Sequence, residues 1–508
     1  VELDGLPLAL ELAAARMRVL SAAQLADGLR DRFALLSGGN RGMAAHQQDL
    51  AQLVEWSCRS LDPAELALFR VLAVFANGFD LDGAAAVSAG SPSATLPLLN
   101  GLLRRSLLSA IPASTPRRYR MLETVRQWAI THSSTAERAQ AEALHRTYIL
   151  QRAQLAEAEI RGPSSDIAIA RLRLDGPEHR VVFASTDRES ALALAGALGW
   201  FWYRIGAIEE GLRHTRRALG ITETHWNEVD LVGEVANDEA RLRRAAALIG
   251  LGGLTYLSGE PAAAAAALDA AGRLAAQADD PPAAARATAW RAHMLSFTNT
   301  PAQAVEQAQQ SMTMARQAGV DWVTAEAMMI LGMALRSARR PADNTGVAYD
   351  DDDGPRPRVV LAEAVSIAER AGHRWAATSS TWALMKAAMD DGDYAAALAA
   401  AGRMQDALES DGDVTSWLVL VHSTAAALAA TGSADAAARL LGAVRTLGAG
   451  IGFDPGRMDP VDGPREVQAV RDALSAADFD RQVAVGAAMN RAEVTLELRE
   501  LLQRTIKP

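Results

Sequence analysis

Lysine is nearly missing from this chain: its 508 residues contain two, Lys386 and Lys507. A phosphate-binding P-loop needs Gly-Lys followed by Ser or Thr, because the lysine and the loop amides hold the phosphates. Lys386 stands between Met385 and Ala387, Lys507 precedes Pro508, and the glycine-rich turn Ser37-Gly38-Gly39-Asn40 has no lysine. ATP hydrolysis by this chain alone is therefore not expected. Cysteine is scarcer still: Cys58 stands alone, so no internal disulfide can form, which fits a reducing compartment. The nine histidines make no i,i+4 pair and have no second cysteine beside them, so a zinc site is not expected. No Gly-x-Ser-x-Gly elbow occurs. No apolar run approaches the roughly 18 residues of a membrane span and no signal peptide is visible, so a cytoplasmic protein without membrane contact is expected. Aromatic residues are 5% of the chain although apolar ones are 49%, and the difference is largely alanine. Alanine favours helices and their close packing. A net charge of −10 argues against a nucleic-acid surface spread over the whole molecule, and only local basic patches remain.

What is present points to several helical units, since about 100–200 residues make one domain. The chain opens at Val1 inside a helical pattern without an initiator methionine, so a fragment or truncated product is expected. Pro7 suits a first helical turn, where its missing N–H costs nothing, and Ser21-Ala22-Ala23-Gln24 reads as a capping box. Asp62-Pro63-Ala64-Glu65 is a second helix start of the same kind, opening a helix that breaks at Asn77-Gly78. Further helices run through Val87 and over Leu96–Leu103. Leu107–Ile111 and Tyr119–Met121 then flank a turn from Pro112 to Pro116 and read as a two-stranded wing. Arg104, Arg105, Arg117, Arg118, Arg120 and Arg126 gather near it, residues of the type that neutralises phosphates. Such arginines serve equally to pair with acidic groups inside the protein.

Gly5-Leu6-Pro7-Leu8-Ala9 with Glu11-Leu12-Ala13-Ala14 resembles the GLPLA motif of the STAND class of signal-transduction ATPases, which includes NB-ARC proteins and LuxR/AfsR-like actinobacterial transcriptional regulators. The order of Leu61-Asp62-Pro63-Ala64-Glu65, Val74-Phe75-Ala76-Asn77-Gly78-Phe79 and Leu103-Arg104-Arg105-Ser106-Leu107-Leu108 is similar to the winged-helix segment of those regulators. The resemblance implies that Pro7, with Gly5 and Leu6 beside it, would contact adenine, though only alongside a P-loop domain that this chain lacks. It also makes Met121, Leu122, Glu123 and Arg126 a switch segment. NB-ARC proteins carry a phosphate-approaching histidine where Leu122 stands here, and a leucine cannot donate to a phosphate. Transmission by packing is expected instead.

Beyond a linker helix at 137–159, turns at Gly206, Gly259, Asn299, Gly392 and Gly432 each end an apolar helix. Five residues after each stands a small residue: Gly211, Ala264, Ala304, Ala397 and Ala437. Two of the intervals are 40 residues, longer than the roughly 34 of a tetratricopeptide (TPR) repeat. Trp322, Trp375 and Trp417 open helices after Gly319, Gly372 and Gly412, and Trp200-Phe201-Trp202-Tyr203 with Glu209-Glu210-Gly211 resembles the first repeat of the same regulators. The acidic run Asp350–Asp353 fails the EF-hand spacing, with Tyr349 at the first ligand position and Val360 at the last, and reads as a solvated loop.

The expected fold is mainly α. A small helical subdomain spans 1–50, a winged helix 51–135, a linker helix and irregular segment 136–190, and a TPR-like α-solenoid 191–508. The expected function is the sensor part of a STAND-type transcriptional regulator whose repeats bind a protein or small-molecule effector, with Trp202, Trp322, Trp375 and Trp417 as candidate anchors on a concave face. The chain itself is expected to hold no cofactor, ADP or ATP being implied for a longer parent. The resemblance also implies a homo-oligomer, with any dedicated DNA-binding segment outside this chain. Two alternatives stand beside this: a free-standing TPR-like scaffold, and a repressor that grips DNA through its winged helix at Arg104, Arg105, Arg117 and Arg118.

Overall fold

A computed structural model describes residues 54–55, 57–112, 114, 116–221, 231–233, 235–297, 300–339, 356–408 and 412–506. The helical subdomain expected at 1–50, including Gly5, Leu6 and Pro7, lies outside the described residues, as do Asn299 and the run Asp350–Asp353. The chain divides into two compact units, one made of residues 1–152 and 175–184, the other of 153–174 and 185–508.

In the first unit, helix α1 (Pro63–Leu72) begins with the capping box read from the sequence. The Asp62 carboxylate accepts from the Glu65 amide at 2.8 Å, and Glu65 returns a bond from the Asp62 amide at 3.1 Å. Helix α2 (Leu81–Val87) is capped by Asp80 and α3 (Pro92–Arg104) by Ser91. Strands β1 (Ser109–Ala110) and β2 (Tyr119–Arg120) pair antiparallel, Ser109 opposite Arg120 and Ala110 opposite Tyr119. Phe79 adds a bridge to Tyr119. Gly78 permits that bridge: its φ is +103°, and a Cβ there would sit 2.6 Å from the Tyr119 carbonyl. Helix α4 (Glu123–Thr131) follows the wing. Phe69, Leu72, Phe75, Phe79, Leu99, Leu102, Leu107, Val125 and Trp128 fill the core beneath these elements. The interior is dry enough to push the Cys58 thiol up to about 11, chiefly by burial.

Residues 135–184 form three helices joined by short turns. Helix α5 covers Thr135–Glu159, α6 Ser165–Leu174 and α7 Gly176–Ala184. The irregular segment expected after the linker helix is thus two helices. Part of the presumed linker also belongs with the winged helix, because Asp175 and Glu178 are bonded to the wing and to the turn before Gly78.

In the second unit six helical hairpins follow one another among the described residues. They pair α8 (Arg188–Ile205) with α9 (Ile208–Leu219), α10 (Asp238–Leu257) with α11 (Pro261–Gln277), and α12 (Pro281–Leu295) with α13 (Pro301–Ala318). The series continues with α14 (Asp321–Ala338) and α15 (Pro357–Arg370), α16 (Arg374–Asp390) and α17 (Tyr394–Leu408), and α18 (Val414–Ala430) and α19 (Ala434–Ala449). Gly206, Gly259, Gly392 and Gly432 all have positive φ at the hairpin turns. The small residues five places on are buried where the two helices approach. Between the first two hairpins contact is closer still: a Cβ on Gly199 would lie 2.7 Å from the Gly250 Cα.

The first helix of each hairpin packs against the first helix of the next, so α8, α10, α12, α14, α16 and α18 line the inside of the array. The sixth returns to the first. Thr415 Oγ1 at the start of α18 donates to the Tyr203 carbonyl near the end of α8 at 3.1 Å. Arg204 and Asp413, each fully buried, meet at 2.6 Å. Six hairpins therefore complete one tight superhelical turn. Helices α20 (Pro455–Met458), α21 (Asp462–Asp472), α22 (Ala476–Ala487) and α23 (Arg491–Ile506) follow, α21 packing on α18 and α22 on α19.

Candidate functional site

The switch segment expected at Met121, Leu122, Glu123 and Arg126 forms the junction between β2 and α4. Leu122 is the N-cap of α4 and gives it no side-chain bond. Met121 and Leu122 are half-buried against the winged-helix core. Arg126 clamps Glu123 through Nε at 2.8 Å and Nη2 at 2.9 Å, and its Nη1 donates to the Ala73 carbonyl at 3.3 Å. The segment thus ties the start of α4 to the end of α1.

The four candidate DNA-contacting arginines divide into two pairs. Arg118 is 4% exposed, donating to the Gly78 carbonyl at 2.7 Å and meeting Asp175 at 3.4 Å. Arg105 meets Glu65 at 3.1 Å and donates to the Ser60 carbonyl at 2.9 Å. Arg104 and Arg117 are exposed. The exposed residues of α3 are Pro92, Ser93, Ala94, Leu96, Pro97, Asn100 and Arg104, a face with one cation.

Behind the wing lies a network that sequence reasoning missed. Asp80 takes bonds from the Gly83 amide at 2.8 Å, the Tyr148 hydroxyl at 2.8 Å and Arg152 at 3.1 Å. Arg152 also meets Asp175 at 2.8 Å. Burial, with Asp80 beside it, pushes the Tyr148 phenol well above its ordinary range. The Glu178 carboxylate accepts from the amides of Ala76 at 3.0 Å and Asn77 at 2.7 Å and lies 3.0 Å from His145 Nε2. One signal was available: His145, Tyr148 and Arg152 fall at i, i+3 and i+7, a polar stripe on one helix face.

In the array, Trp202, Trp375 and Trp417 are buried at 3, 4 and 3% exposure, and only Trp322 of the four candidate anchors is half-exposed. Trp202 stacks on His214 within the first hairpin, and Arg491 lies over Trp417. These two are packing residues and do not form the concave surface expected of them. Trp375 sits on the axis with Trp200 at 4.6 Å, Tyr203 at 5.9 Å and Trp290 at 5.8 Å between ring centroids. A superhelix that closes in six hairpins leaves little width inside, and large rings fill it.

Charge lies on the axis as well. Glu326 meets Arg286 at 3.0 Å, accepts from Trp290 Nε1 at 3.1 Å and lies 3.0 Å from His373 Nε2. Burial opposes its ionisation, yet Arg286, His373 and Arg161 together hold the carboxyl well below the usual range. Arg161 lies over Trp322 at 4.6 Å and Arg286 over Trp200 at 5.0 Å. Elsewhere in the array Lys386, fully buried, meets Asp459 at 2.9 Å, Asp462 at 3.1 Å and Glu466 at 2.9 Å. Burial alone would lower its pKa, and the three carboxylates raise it further than burial depresses it. Lys386, one of two lysines in the chain and set among the apolar residues of 385–389, was the sequence signal for this centre. An open cleft of about 960 Å³ adjoins it, walled by Arg336, Arg358, Lys386, Asp390, Tyr394 and Asp462 among others.

Residues 61–132 match the family model described as the winged helix-turn-helix domain. This segment is a winged helix. Over 220 residues, 41% of the chain, the sequence is 39% identical to the "Putative HTH-type transcriptional regulator Rv0890c" of Mycobacterium tuberculosis and to its namesake Mb0914c of Mycobacterium bovis. The chain spans about a quarter of the length of those regulators, 24%. Over 161 residues, 31% of the chain, it is also 39% identical to the uncharacterized protein Rv0894 of Mycobacterium tuberculosis, covering 41% of that protein. Among solved structures, a Signal Transduction ATPase with Numerous Domains protein with a tetratricopeptide repeat sensor, PH0952 of Pyrococcus horikoshii, superposes with a TM-score of 0.44 and 13% identity over 98% of this chain and 71% of that one. A Rap protein complexed with Competence and Sporulation Factor gives 0.40 and 12% over 71% of this chain and 99% of that one. Among the described residues no helix is long and apolar enough to cross a membrane.

Proposed function

We propose that this chain is the regulatory part of a STAND-type ATPase transcriptional regulator of the cytoplasm. The winged helix is an interdomain module rather than a DNA reader, and the helical array holds the effector. The observation that carries this reading is the orientation of the wing's charge. Arg118 and Arg105 are spent on Asp175 and Glu65, Arg117 and Arg120 are exposed on the wing, and the outer face of α3 offers a duplex only Ser93, Asn100 and Arg104 as polar groups. A groove-reading helix needs side chains that bond base edges, flanked by cations for phosphates. A face of Pro92, Ala94, Leu96 and Pro97 suits a protein neighbour better. The likeness to named transcriptional regulators supports a regulatory role for the longer protein.

On this reading ADP or ATP binds only when a P-loop domain is joined to residues 1–50, with Gly5, Leu6 and Pro7 completing the adenine site. The chain alone hydrolyses nothing. The junction Met121–Arg126 passes motion on by packing, and the effector acts through unequal affinity for two arrangements, since equal binding shifts no equilibrium.

Two measurements test the reading. Fluorescence anisotropy with duplex DNA from low to physiological salt should show no saturable binding, and an affinity falling steeply with salt would overturn the interdomain role. Calorimetric titration of ADP should give no heat of binding with this chain and a clear isotherm with a longer protein that includes the nucleotide domain. Tight ADP binding by this chain alone would overturn the account of Pro7 as half of a site.

A further inference from the structure

Three spaces within the array share walls. The open cleft counts Arg336, Lys386 and Asp462 among its walls. A void of about 30 Å³ is walled by the same three residues and by His293, Met333 and Trp382. Those last three also wall a chamber of about 50 Å³, which reaches Tyr203, Tyr256, Trp290 and Trp375. The shared residues set the spaces in series from the cleft to the axis.

The chamber walls include no carboxylate and no lysine or arginine. Burial holds the His293 imidazole down to about 4, so it is neutral near pH 7. An ion would find no counter-charge in these walls. Two of the lining residues each carry a buried nitrogen without a hydrogen-bond partner, Trp375 Nε1 and His293 Nδ1, on side chains 4 and 7% exposed, and a guest that widens the chamber would meet them. The neighbouring indoles are satisfied, Trp290 by Glu326 and Trp382 by Ser423, each at 3.1 Å. An orphaned buried N–H forfeits its hydration with nothing in return, so it is a place where a bound group gains. Trp375 can only donate, so that group must accept.

We propose that the chamber binds a small neutral aromatic molecule bearing one oxygen that accepts a hydrogen bond from Trp375, entering through the cleft beside Lys386. The proposal rests on the reading of the array as effector-binding, and names the place and the chemical class. Rings at the walls offer edges and faces to an aromatic guest. The chamber must widen, since an apolar cavity that takes benzene measures about 150 Å³. Met329, Met333, Met404 and Met458 line it, and unbranched methionine side chains repack at little cost. A neutral guest passes Lys386 and Asp462 without breaking their ion pairs.

The test uses this chain with ¹⁵N-labelled tryptophan, benzyl alcohol as the probe and toluene as its oxygen-free comparator. Benzyl alcohol should move the indole N–H signal of Trp375 saturably, the assignment coming from Trp375→Phe. That variant, which keeps an aromatic side chain but loses the donor along with part of the indole, should weaken benzyl alcohol roughly tenfold relative to toluene, the oxygen-free comparator that reports the change in cavity size. Ser379→Leu, which fills the chamber from α16, should abolish binding while the helical circular dichroism is retained. An unmoved Trp375 signal, or equal benzyl alcohol affinity in wild type and Trp375→Phe, overturns the proposal. Binding here without any change in ADP affinity of a longer, nucleotide-binding protein leaves the chamber standing and overturns the regulatory reading.

Discussion

The two units bury their charge differently. In the winged-helix unit the ionic groups pin a wing and a turn: Arg118 to Asp175, Arg152 to Asp80 and Asp175, Glu178 to the amides of Ala76 and Asn77. The core beside them is apolar. In the array the ionic groups stand inside, Glu326 with Arg286 among the axial tryptophans and Arg204 with Asp413 where the sixth hairpin meets the first. The first arrangement fastens a surface, and the second sets how tightly a repeat winds. A buried pair adds little net stability over an apolar pair of the same shape, but removing one partner is severe. Asp175 in the first unit is shared by Arg118 and Arg152, whereas Asp413 in the array meets Arg204, so the array should be the more fragile to single charge deletions.

The sharpest way to break that comparison is Arg204→Met. It strands a fully buried Asp413 at the closure, and we expect a loss of about 3–5 kcal/mol in urea unfolding. Arg105→Met in the winged-helix unit, where the arginine is part-exposed and the buried Glu65 keeps its bond from the Asp62 amide, should cost less, about 1–2 kcal/mol. Equal costs would erase the distinction.

Next in size is the junction after the wing. Leu122 is half-buried against the winged-helix core, so Leu122→Asp should cost about 2–3 kcal/mol and Leu122→Met less than about 1.5 kcal/mol. Indistinguishable melting temperatures for the two would refute a packing role for this residue.

Acid should separate titratable groups in the array by about 1.4 kcal/mol per pH unit for each. Burial holds His293 at about 4 in the folded state against an ordinary value of 6.5, and also lowers His373 and His422. Between those values the unfolded chain binds more protons than the folded one, so stability is full above pH 6.5 and falls as pH drops toward 4. His293→Gln should flatten the slope of stability against pH in that window. A slope unchanged by the substitution would show that His293 is not buried in its neutral form.

What the sequence made legible follows the same division. Asp62 and Glu65 lie within one helix turn, and the wing strands within a dozen residues, so caps and hairpin could be read locally. The glycines at 206, 259, 392 and 432 likewise marked hairpin turns. Closure could not be read, because Arg204 and Asp413 are 209 residues apart and nothing in a repeat period says how many hairpins complete a turn. The same gap misplaced the tryptophans: periodicity put Trp375 and Trp417 at helix starts, and only the winding decides whether such a start faces solvent or the axis. Asp175 and Glu178 were missed because Gly176-Pro177 beside them reads as a loop, whereas it opens α7.

The smallest effects lie on the wing, and they separate a fastened surface from an offered one. Arg104 and Arg117 are exposed, so Arg104→Ala and Arg117→Ala should each shift stability by no more than about 0.5 kcal/mol. Arg118→Ala belongs to the same short stretch of sequence but takes a donor from the Gly78 carbonyl and a partner from Asp175, which keeps Arg152. Its cost should be about 1–3 kcal/mol, that of leaving a buried acceptor unmet. If the wing served DNA instead, the ranking in a binding assay would invert: Arg104 and Arg117 would carry the phosphate contacts, and their removal would lower both affinity and its salt dependence while leaving the melting temperature alone.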